Sequence, residues 1–125
     1  MDKLTREQMI AEFGETGVQN PAVVDLITLD KALDTVVLVM MERRPWGLAR
    51  EQFKQIEEKL NRYMGYALDG FLAEQYPPYV GKPAQIRLDC AEAPHGEAVR
   101  FVEAMTHACQ SHGILFSVAV RPPQS

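Results

Sequence analysis

Two apolar segments in the first third of the chain predict a β-hairpin between Val23 and Met41. Residues 23–30 and 35–41 are rich in β-branched and large apolar side chains, as is typical of strands. The four residues that separate them match the length of a hairpin connection. After its first residue, the second segment is apolar at every position. Because successive residues of a strand face opposite sides of a sheet, we expect this strand to be covered on both faces.

Two later segments repeat apolar residues at intervals of three and four, which indicates amphipathic helices. The first begins after Gly47, and the second ends at Gly113, a residue type that often follows the last turn of a helix. Gly65 and Gly70 each weaken the first helix by about 1 kcal/mol relative to alanine, so we expect a bend or an early end there. The apolar positions are Phe53, Ile56, Leu60, Met64, Ala67 and Phe71 in the first helix, and Ala98, Phe101, Val102, Met105, Ala108 and Cys109 in the second.

Two further strands complete the predicted fold. Polar and apolar residues alternate from Gln85 to Cys90, which predicts a half-exposed strand with Ile86, Leu88 and Cys90 facing inward. Residues 114–120 form the last apolar segment. The expected order is α-ββ-α-β-α-β, a two-layer fold of the α+β or α/β class. Its four-stranded mixed sheet starts with the antiparallel hairpin, and right-handed crossovers place both main helices on one face.

The start of the chain predicts one more helix. Residues 5–8 have the capping-box pattern of a helix N-terminus, and Met9, Ile10 and Phe13 then fall on one helical face. We therefore divide the chain into an N-terminal helix with a linker (residues 1–22), a single α/β domain (residues 23–121) and a tail (residues 122–125).

One face of the predicted sheet lacks an assigned cover. With both main helices on one side, Val37, Val39 and Met41 lie on the opposite face. An apolar sheet face is normally buried or used in an interaction. We expect either the N-terminal helix or a second subunit to cover these three residues.

The composition is that of a globular protein and limits the classes of partner. The 125 residues are 46% hydrophobic and 24% charged, with a net charge of -4, so nucleic acid is an unfavourable partner. Two cysteines form no disulfide framework, which favours reduced thiols and a cytoplasmic location. The sequence shows no signal-peptide pattern and no apolar run of membrane-spanning length, so we predict neither secretion nor membrane insertion.

Cys90 and His95 are the best candidates for nucleophilic chemistry. They lie at a strand end and the following helix start, with Asp89 beside them, and a helix N-terminus lowers a thiol pKa. The alternation with Ile86 and Leu88 favours a buried core cysteine instead. Both interpretations place these residues at the carboxyl edge of the sheet.

A shared metal site does not fit the spacing of the ligand-type residues. Cys109 and His112 lie at the far end of the helix that follows His95, about 22 Å from its start. Four ligands cannot meet across that length. We predict no metal site and no cofactor.

A short basic and aromatic segment follows the hairpin. Arg43 and Arg44 lie next to Trp46, and such a patch can stack a base or bind an acidic partner. The alternative interpretation is an exposed helix entry in which Trp46 packs over the first turn of the helix. Asp25 is a further candidate, because it lies in an apolar segment and either faces solvent or is buried with a partner such as an arginine.

Several short motifs carry a family resemblance. They are Val24-Asp25-Leu26-Ile27, Asp30, Val37-Leu38, Trp46, Leu60-Asn61-x-Tyr63, Gly70, Tyr76-Pro77, Gly81 and Gly113-Ile114-x-Phe116. On these the chain resembles a family of small uncharacterised bacterial proteins, a domain of unknown function, over about residues 23–118. The resemblance implies a bacterial, cytoplasmic α/β protein and supplies no catalytic or binding residues.

We therefore expect a non-enzymatic protein-binding module that contacts a partner protein or a second copy of itself, in an immunity or adaptor role. The alternative is a small enzyme or ligand-binding protein that uses Cys90 and His95, with Asp89, at the carboxyl edge of the sheet. Neither hypothesis involves a cofactor, a nucleic acid or a membrane. The predicted binding residues are Met9, Ile10, Phe13, Val37, Val39, Met41, Arg43, Arg44 and Trp46.

Overall fold

The structure, a computed structural model, describes residues 16–21, 23–47 and 49–121. These residues form one four-stranded sheet and three helices. The strands are β1 (Leu26–Asp30), β2 (Thr35–Glu42), β3 (Ala84–Cys90) and β4 (Leu115–Val120); the helices are α1 (Ala49–Leu68), α2 (Phe71–Gln75) and α3 (Glu97–Gln110), with a 3-10 turn at Pro77–Tyr79. The predicted N-terminal helix and the predicted tail lie outside the described residues.

The strand order of the sheet is β1-β2-β3-β4. β1 and β2 are antiparallel, whereas β2, β3 and β4 are parallel neighbours, which confirms the predicted hairpin and mixed sheet. Asp30 stabilises the hairpin turn, since its carboxylate accepts hydrogen bonds from the backbone N–H groups of Ala32 and Leu33. Each parallel pair is joined by a helix-containing crossover, so the carboxyl ends of three strands meet at one edge.

One face of the sheet carries the core and both long helices. Alternate residues of β2, β3 and β4 are buried there against apolar side chains of α1 and α3. The two helices also contact each other, because Phe53 and Phe101 stack with ring centroids 4.5 Å apart. This arrangement confirms the predicted inward alternation of β3. The sheet residues of this core are Val36, Leu38, Met40, Ile86, Leu88, Cys90 and Phe116.

The long helix ends before its apolar pattern does. α1 stops at Leu68, and Gly70 has a φ of 87°, a left-handed conformation that glycine adopts readily. Gly65, in contrast, lies within α1. Phe71 is exposed at the start of α2, so its predicted place on the apolar stripe is wrong. The helical register does not continue through Gly70.

The opposite face of the sheet is buried at its centre. Val39 is 0% and Val37 3% exposed in the single chain. Gln85, predicted to face solvent, is also buried on this face, where its amide group donates hydrogen bonds to Asp30 and Thr35. Of the two covers proposed for this face, the N-terminal helix lies outside the described residues; that helix and a second subunit both stay predictions.

Candidate functional site

The carboxyl ends of the three parallel strands form a half-open cleft of about 320 Å³. Two backbone hydrogen bonds extend the sheet past the strand ends. The N–H of Ala91 donates to the Glu42 carbonyl at 3.0 Å, and the N–H of Arg121 donates to the Cys90 carbonyl at 2.7 Å. These bonds fix the walls, so the cleft is preformed, as most ligand sites are. The lining residues are Met41, Glu42, Arg43, Asp89, Cys90, Ala91 and Arg121.

Asp89 is held between two arginines at the cleft. Its Oδ1 accepts a hydrogen bond from Arg87 Nε at 2.7 Å, and its Oδ2 accepts from Arg87 Nη2 at 3.2 Å and Arg121 Nε at 3.1 Å. The Arg121 side chain is 62% exposed. Within the described part of the chain, its two terminal amino groups have no partner and are available to another group.

Arg43 is a second exposed arginine at the cleft. Its terminal nitrogens donate to the Thr16 carbonyl at 2.9 Å, the Thr16 hydroxyl at 2.7 Å and the Met41 sulfur at 3.1 Å. All three acceptors are uncharged, so no carboxylate among the described residues neutralises Arg43. Glu42, in contrast, is buried and paired with Arg44, whose Nε and Nη2 donate to its two carboxylate oxygens at 2.8 and 2.7 Å.

These contacts leave a positive charge at the cleft. The lining charged residues and their ion-pair partners comprise four arginines and two carboxylates, a net charge of +2, in a chain whose net charge is -4. A local positive potential of this kind attracts anionic groups. The four arginines are Arg43, Arg44, Arg87 and Arg121, and the two acids are Glu42 and Asp89.

The predicted nucleophilic residues do not form a connected set. Cys90 is buried, its thiol contacts the Leu88 carbonyl at 3.8 Å, and burial raises its pKa to about 12. His95 Nε2 lies 3.2 Å from a carboxylate oxygen of Glu92, while Asp89 binds arginines. The three residues therefore have separate partners. These contacts support the interpretation of Cys90 as a core cysteine.

Trp46 is buried where β2 leads into α1. Its indole N–H donates to the Glu92 carbonyl at 3.0 Å, and its ring centroid lies 6.4 Å from that of Phe53, near the start of α1. Its backbone N–H donates to the Glu92 carboxylate at 2.8 Å. That bond, with a smaller contribution from His95, lowers the pKa of Glu92. Trp46 thus packs over the start of α1, and it ties the loop after β2 to the loop after β3.

A buried ion pair lies behind Met41. The side chains of Asp25 and Lys59 are both 0% exposed, and their charged atoms are 2.6 Å apart. Lys59 Nζ also donates to the carbonyls of Gly17 and Asn20 at 2.7 and 2.9 Å, so all three of its N–H groups have partners. Of the two predictions for Asp25, burial with a partner is the one observed. That partner is a lysine rather than an arginine.

The carboxylate of Asp25 has equally complete partners. Its Oδ1 and Oδ2 accept hydrogen bonds from the N–H groups of Gly17 and Met41, both at 2.8 Å. The Asp25 N–H donates to the Tyr63 hydroxyl, which in turn donates to the Val39 carbonyl, both at 2.8 Å. Burial raises the pKa of Tyr63 and keeps the hydroxyl protonated. The network joins the loop before β1 to β2 and α1.

The predicted binding residues fall into three groups. At the cleft are Met41, Arg43 and Arg44, the last through its ion pair with Glu42. Buried in the single chain, where a partner does not reach their side chains, are Val37, Val39 and Trp46. Outside the described residues are Met9, Ile10 and Phe13, whose role stays a prediction.

Sequence reasoning missed four charged residues of these sites, Glu42, Lys59, Arg87 and Arg121. Lys59 lies on the apolar stripe of α1, three residues after Ile56, and a lysine on such a stripe signals a buried partner for Asp25. Arg121 reaches Asp89, the partner of Arg87, through the pairing of β3 with β4. No spacing along the chain indicates that contact.

The described ranges contain neither a metal-binding group of side chains nor a helix that could span a membrane. No three His, Cys, Asp or Glu side chains in them are grouped to hold a metal ion. In the same ranges, no helix combines the length and the apolar composition needed to cross a membrane.

Comparison with protein families shows to which family the chain belongs. A model of the family of unknown function DUF6572 matches residues 16–122. The chain belongs to this family. No curated protein and no solved structure shows a significant match. The DUF6572 match starts at the loop that Lys59 and Arg43 hold, and it contains every residue of the cleft and of the buried ion-pair network.

Proposed function

We propose that the protein is a non-enzymatic binding module that docks a partner protein, or a second copy of itself, at the carboxyl edge of β2, β3 and β4. The observation that carries the proposal is the preformed cleft with two exposed arginines, Arg43 and Arg121. Arginine is enriched at protein interfaces, because its planar guanidinium forms paired hydrogen bonds and stacks on apolar surface. The positive cleft on an acidic chain also favours one orientation of the partner.

The catalytic alternative has less support. Nucleophilic catalysis by a cysteine needs a thiolate within hydrogen-bond reach of a base. Burial raises the pKa of Cys90 to about 12, and His95 is bonded to Glu92. Asp89 is engaged by arginines. The charged groups of this edge therefore serve ion pairs rather than an acid and base pair.

The proposal extends to the setting of the protein. Cys90 and Cys109 are free thiols, which supports a reducing compartment such as the bacterial cytoplasm. An immunity or adaptor role suits a small acidic domain that occupies a site on another protein.

The test is capture of a partner that depends on the cleft. The wild-type chain, the cleft variant Arg43→Glu/Arg121→Glu and the control Arg62→Glu/Arg100→Glu are used as baits in a lysate of the source organism. Arg62 and Arg100 are exposed on helices away from the cleft. We expect a protein, identified by mass spectrometry and then remixed in purified form, to bind wild type and control but not the cleft variant.

Self-association is checked in parallel by light scattering. If the partner is a second copy, the measured mass of the wild-type chain exceeds the 14.1 kDa of one chain. The cleft variant is then expected to have the mass of one chain. Two results together would contradict the proposal. The wild-type chain would keep a mass of 14.1 kDa, and every protein that it captures would also bind the cleft variant.

A further inference from the structure

We infer that the cleft binds a single carboxylate, which the partner protein presents on an aspartate or glutamate side chain. This inference rests on the proposed function, because it names the chemical group of the partner that enters the cleft. Its basis is the arrangement of two arginines around an apolar floor.

Arg121 is oriented for bidentate binding. Its Nε is bonded to Asp89, whose other contacts are with Arg87. The ion pair fixes the plane of the Arg121 guanidinium and leaves its exposed terminal amino groups without a partner among the described residues. Two parallel N–H donors in one plane match the two oxygens of a carboxylate.

Arg43 adds a second positive charge to the same cleft. Its described hydrogen bonds go to the uncharged groups of Thr16 and Met41, so its charge is available to an incoming anion. These bonds also hold the side chain in place. Arg43 follows β2 and Arg121 follows β4, on either side of β3, and both line the cleft.

The apolar floor and the two acids of the cleft favour a carboxylate over a phosphate. The volume of about 320 Å³ admits either group. Met41 and Ala91, both half-buried, give the cleft apolar surface, which suits the carbon atoms that carry a carboxylate. A phosphate monoester has nearly two negative charges, so the carboxylates of Glu42 and Asp89 repel it more strongly than they repel one carboxylate.

The chemistry is tested with three small probes on the purified full chain. Sodium butyrate, butyramide and sodium phosphate are titrated at constant ionic strength, while NMR follows the arginine Nε–Hε signals. We expect butyrate to shift the Arg43 and Arg121 signals in a saturable way. Butyramide has the same apolar body without the charge, and we expect neither it nor phosphate to do so.

Variants connect the signals to the two arginines. Arg43→Gln/Arg121→Gln is expected to weaken butyrate binding by about tenfold or more, whereas the control Arg62→Gln/Arg100→Gln binds as wild type does. Arg121→Gln alone keeps the Arg87–Asp89 pair and provides a cleft variant with little effect on folding. Equal shifts with phosphate, or unchanged butyrate binding by both cleft variants, would overturn the inference.

Binding of the captured partner to the cleft variant shows whether this inference or the proposed function is wrong. If the partner binds Arg43→Gln/Arg121→Gln as tightly as wild type, the module function stands and the carboxylate inference is wrong. If butyrate binds but no protein is captured, the proposed function fails, and the cleft takes a free organic acid instead. Displacement of the partner from the wild-type chain by butyrate, but not by butyramide, supports both the inference and the proposed function.

Discussion

Lys59 donates hydrogen bonds to three acceptors, and each of them lies in or next to the loop that precedes β1. Removing two charges from water costs several kcal/mol for each ion, and well-placed hydrogen bonds offset that cost. Here the carboxylate of Asp25 also accepts two backbone N–H groups. The pair is therefore tolerated because all of its polar atoms have partners, and loss of one member leaves the other uncompensated.

Lys59→Met tests this dependence. The substitution keeps much of the volume but leaves the buried carboxylate of Asp25 without its counter-charge, so we expect unfolding free energy to fall by about 3–5 kcal/mol in urea denaturation. Lys54→Met on the exposed side of the same helix should change it by less than about 0.5 kcal/mol. The double variant Asp25→Asn/Lys59→Met should recover part of the loss. Equal losses for Lys59→Met and Lys54→Met would contradict the role given to the pair.

The two thiols provide a prediction about pH. Burial raises the pKa of Cys90 to about 12 and that of Cys109 to about 11. At pH 9 only about one Cys90 side chain in a thousand is then ionised, whereas an exposed thiol is mostly ionised. We expect a thiol reagent at pH 7–9 to label the native chain at least about a hundredfold more slowly than the chain in guanidinium. Rapid native labelling that peptide mapping assigns to Cys90 would restore the catalytic alternative.

Among the elements, the end of α1 depends on the backbone of one glycine. Gly70 has a φ of 87°, with no heavy atom within 4 Å of a Cβ built there, so Gly70→Ala is strained only in its backbone. We expect it to lower unfolding free energy by about 1 kcal/mol. Gly65 lies within α1 and has room for a Cβ, 3.7 Å from an oxygen of Asp69. Gly65→Ala is therefore expected to stabilise the chain by up to about 1 kcal/mol. In thermal unfolding, the melting temperature should fall for Gly70→Ala and rise for Gly65→Ala.

The secondary-structure elements could be predicted because their apolar patterns follow simple periods. The apolar run from Val36 to Met41 and the alternation from Gln85 to Cys90 identify β2 and β3 and their inward residues. The segment before β1 belongs to the predicted linker, but Val18 is completely buried in the core. Its position depends on contacts with β2 and α1, since the Val18 N–H donates to the Met41 carbonyl at 2.9 Å.

The candidate site could be predicted only in part, because some of its contacts join segments that are far apart in the sequence. Arg43 follows directly from the sequence of the segment after β2, and the carboxyl edge follows from the order of the elements. The contact of Arg121 with Asp89 joins residues 32 positions apart and depends on the register of β3 with β4. Burial of Trp46 was one of two interpretations, and the structure supports packing because both N–H groups of the residue bond to Glu92.

For the whole molecule, the second face of the sheet is already buried in a single chain, so we expect the chain to fold without a second copy. Val39 is 0% exposed without a second copy, so Val39→Ala is expected to lower unfolding free energy by about 2 kcal/mol through the cavity it leaves. Because the loss is internal to one chain, the urea midpoints of wild type and variant should not depend on protein concentration. Midpoints that rise over a hundredfold concentration range even in the cleft variant Arg43→Glu/Arg121→Glu would assign the cover of this face to a second subunit.

The ion-pair network has a consequence for the order of folding. All of its described partners lie between Gly17 and Tyr63, whereas β2 pairs with a strand that begins 48 residues after Val36, at Ala84. A growing chain can therefore satisfy its buried charges while one edge of β2 is still without a partner, and such an edge is prone to aggregation. In pulsed hydrogen exchange during refolding, we expect the amide of Met41 to become protected before the amides of β3.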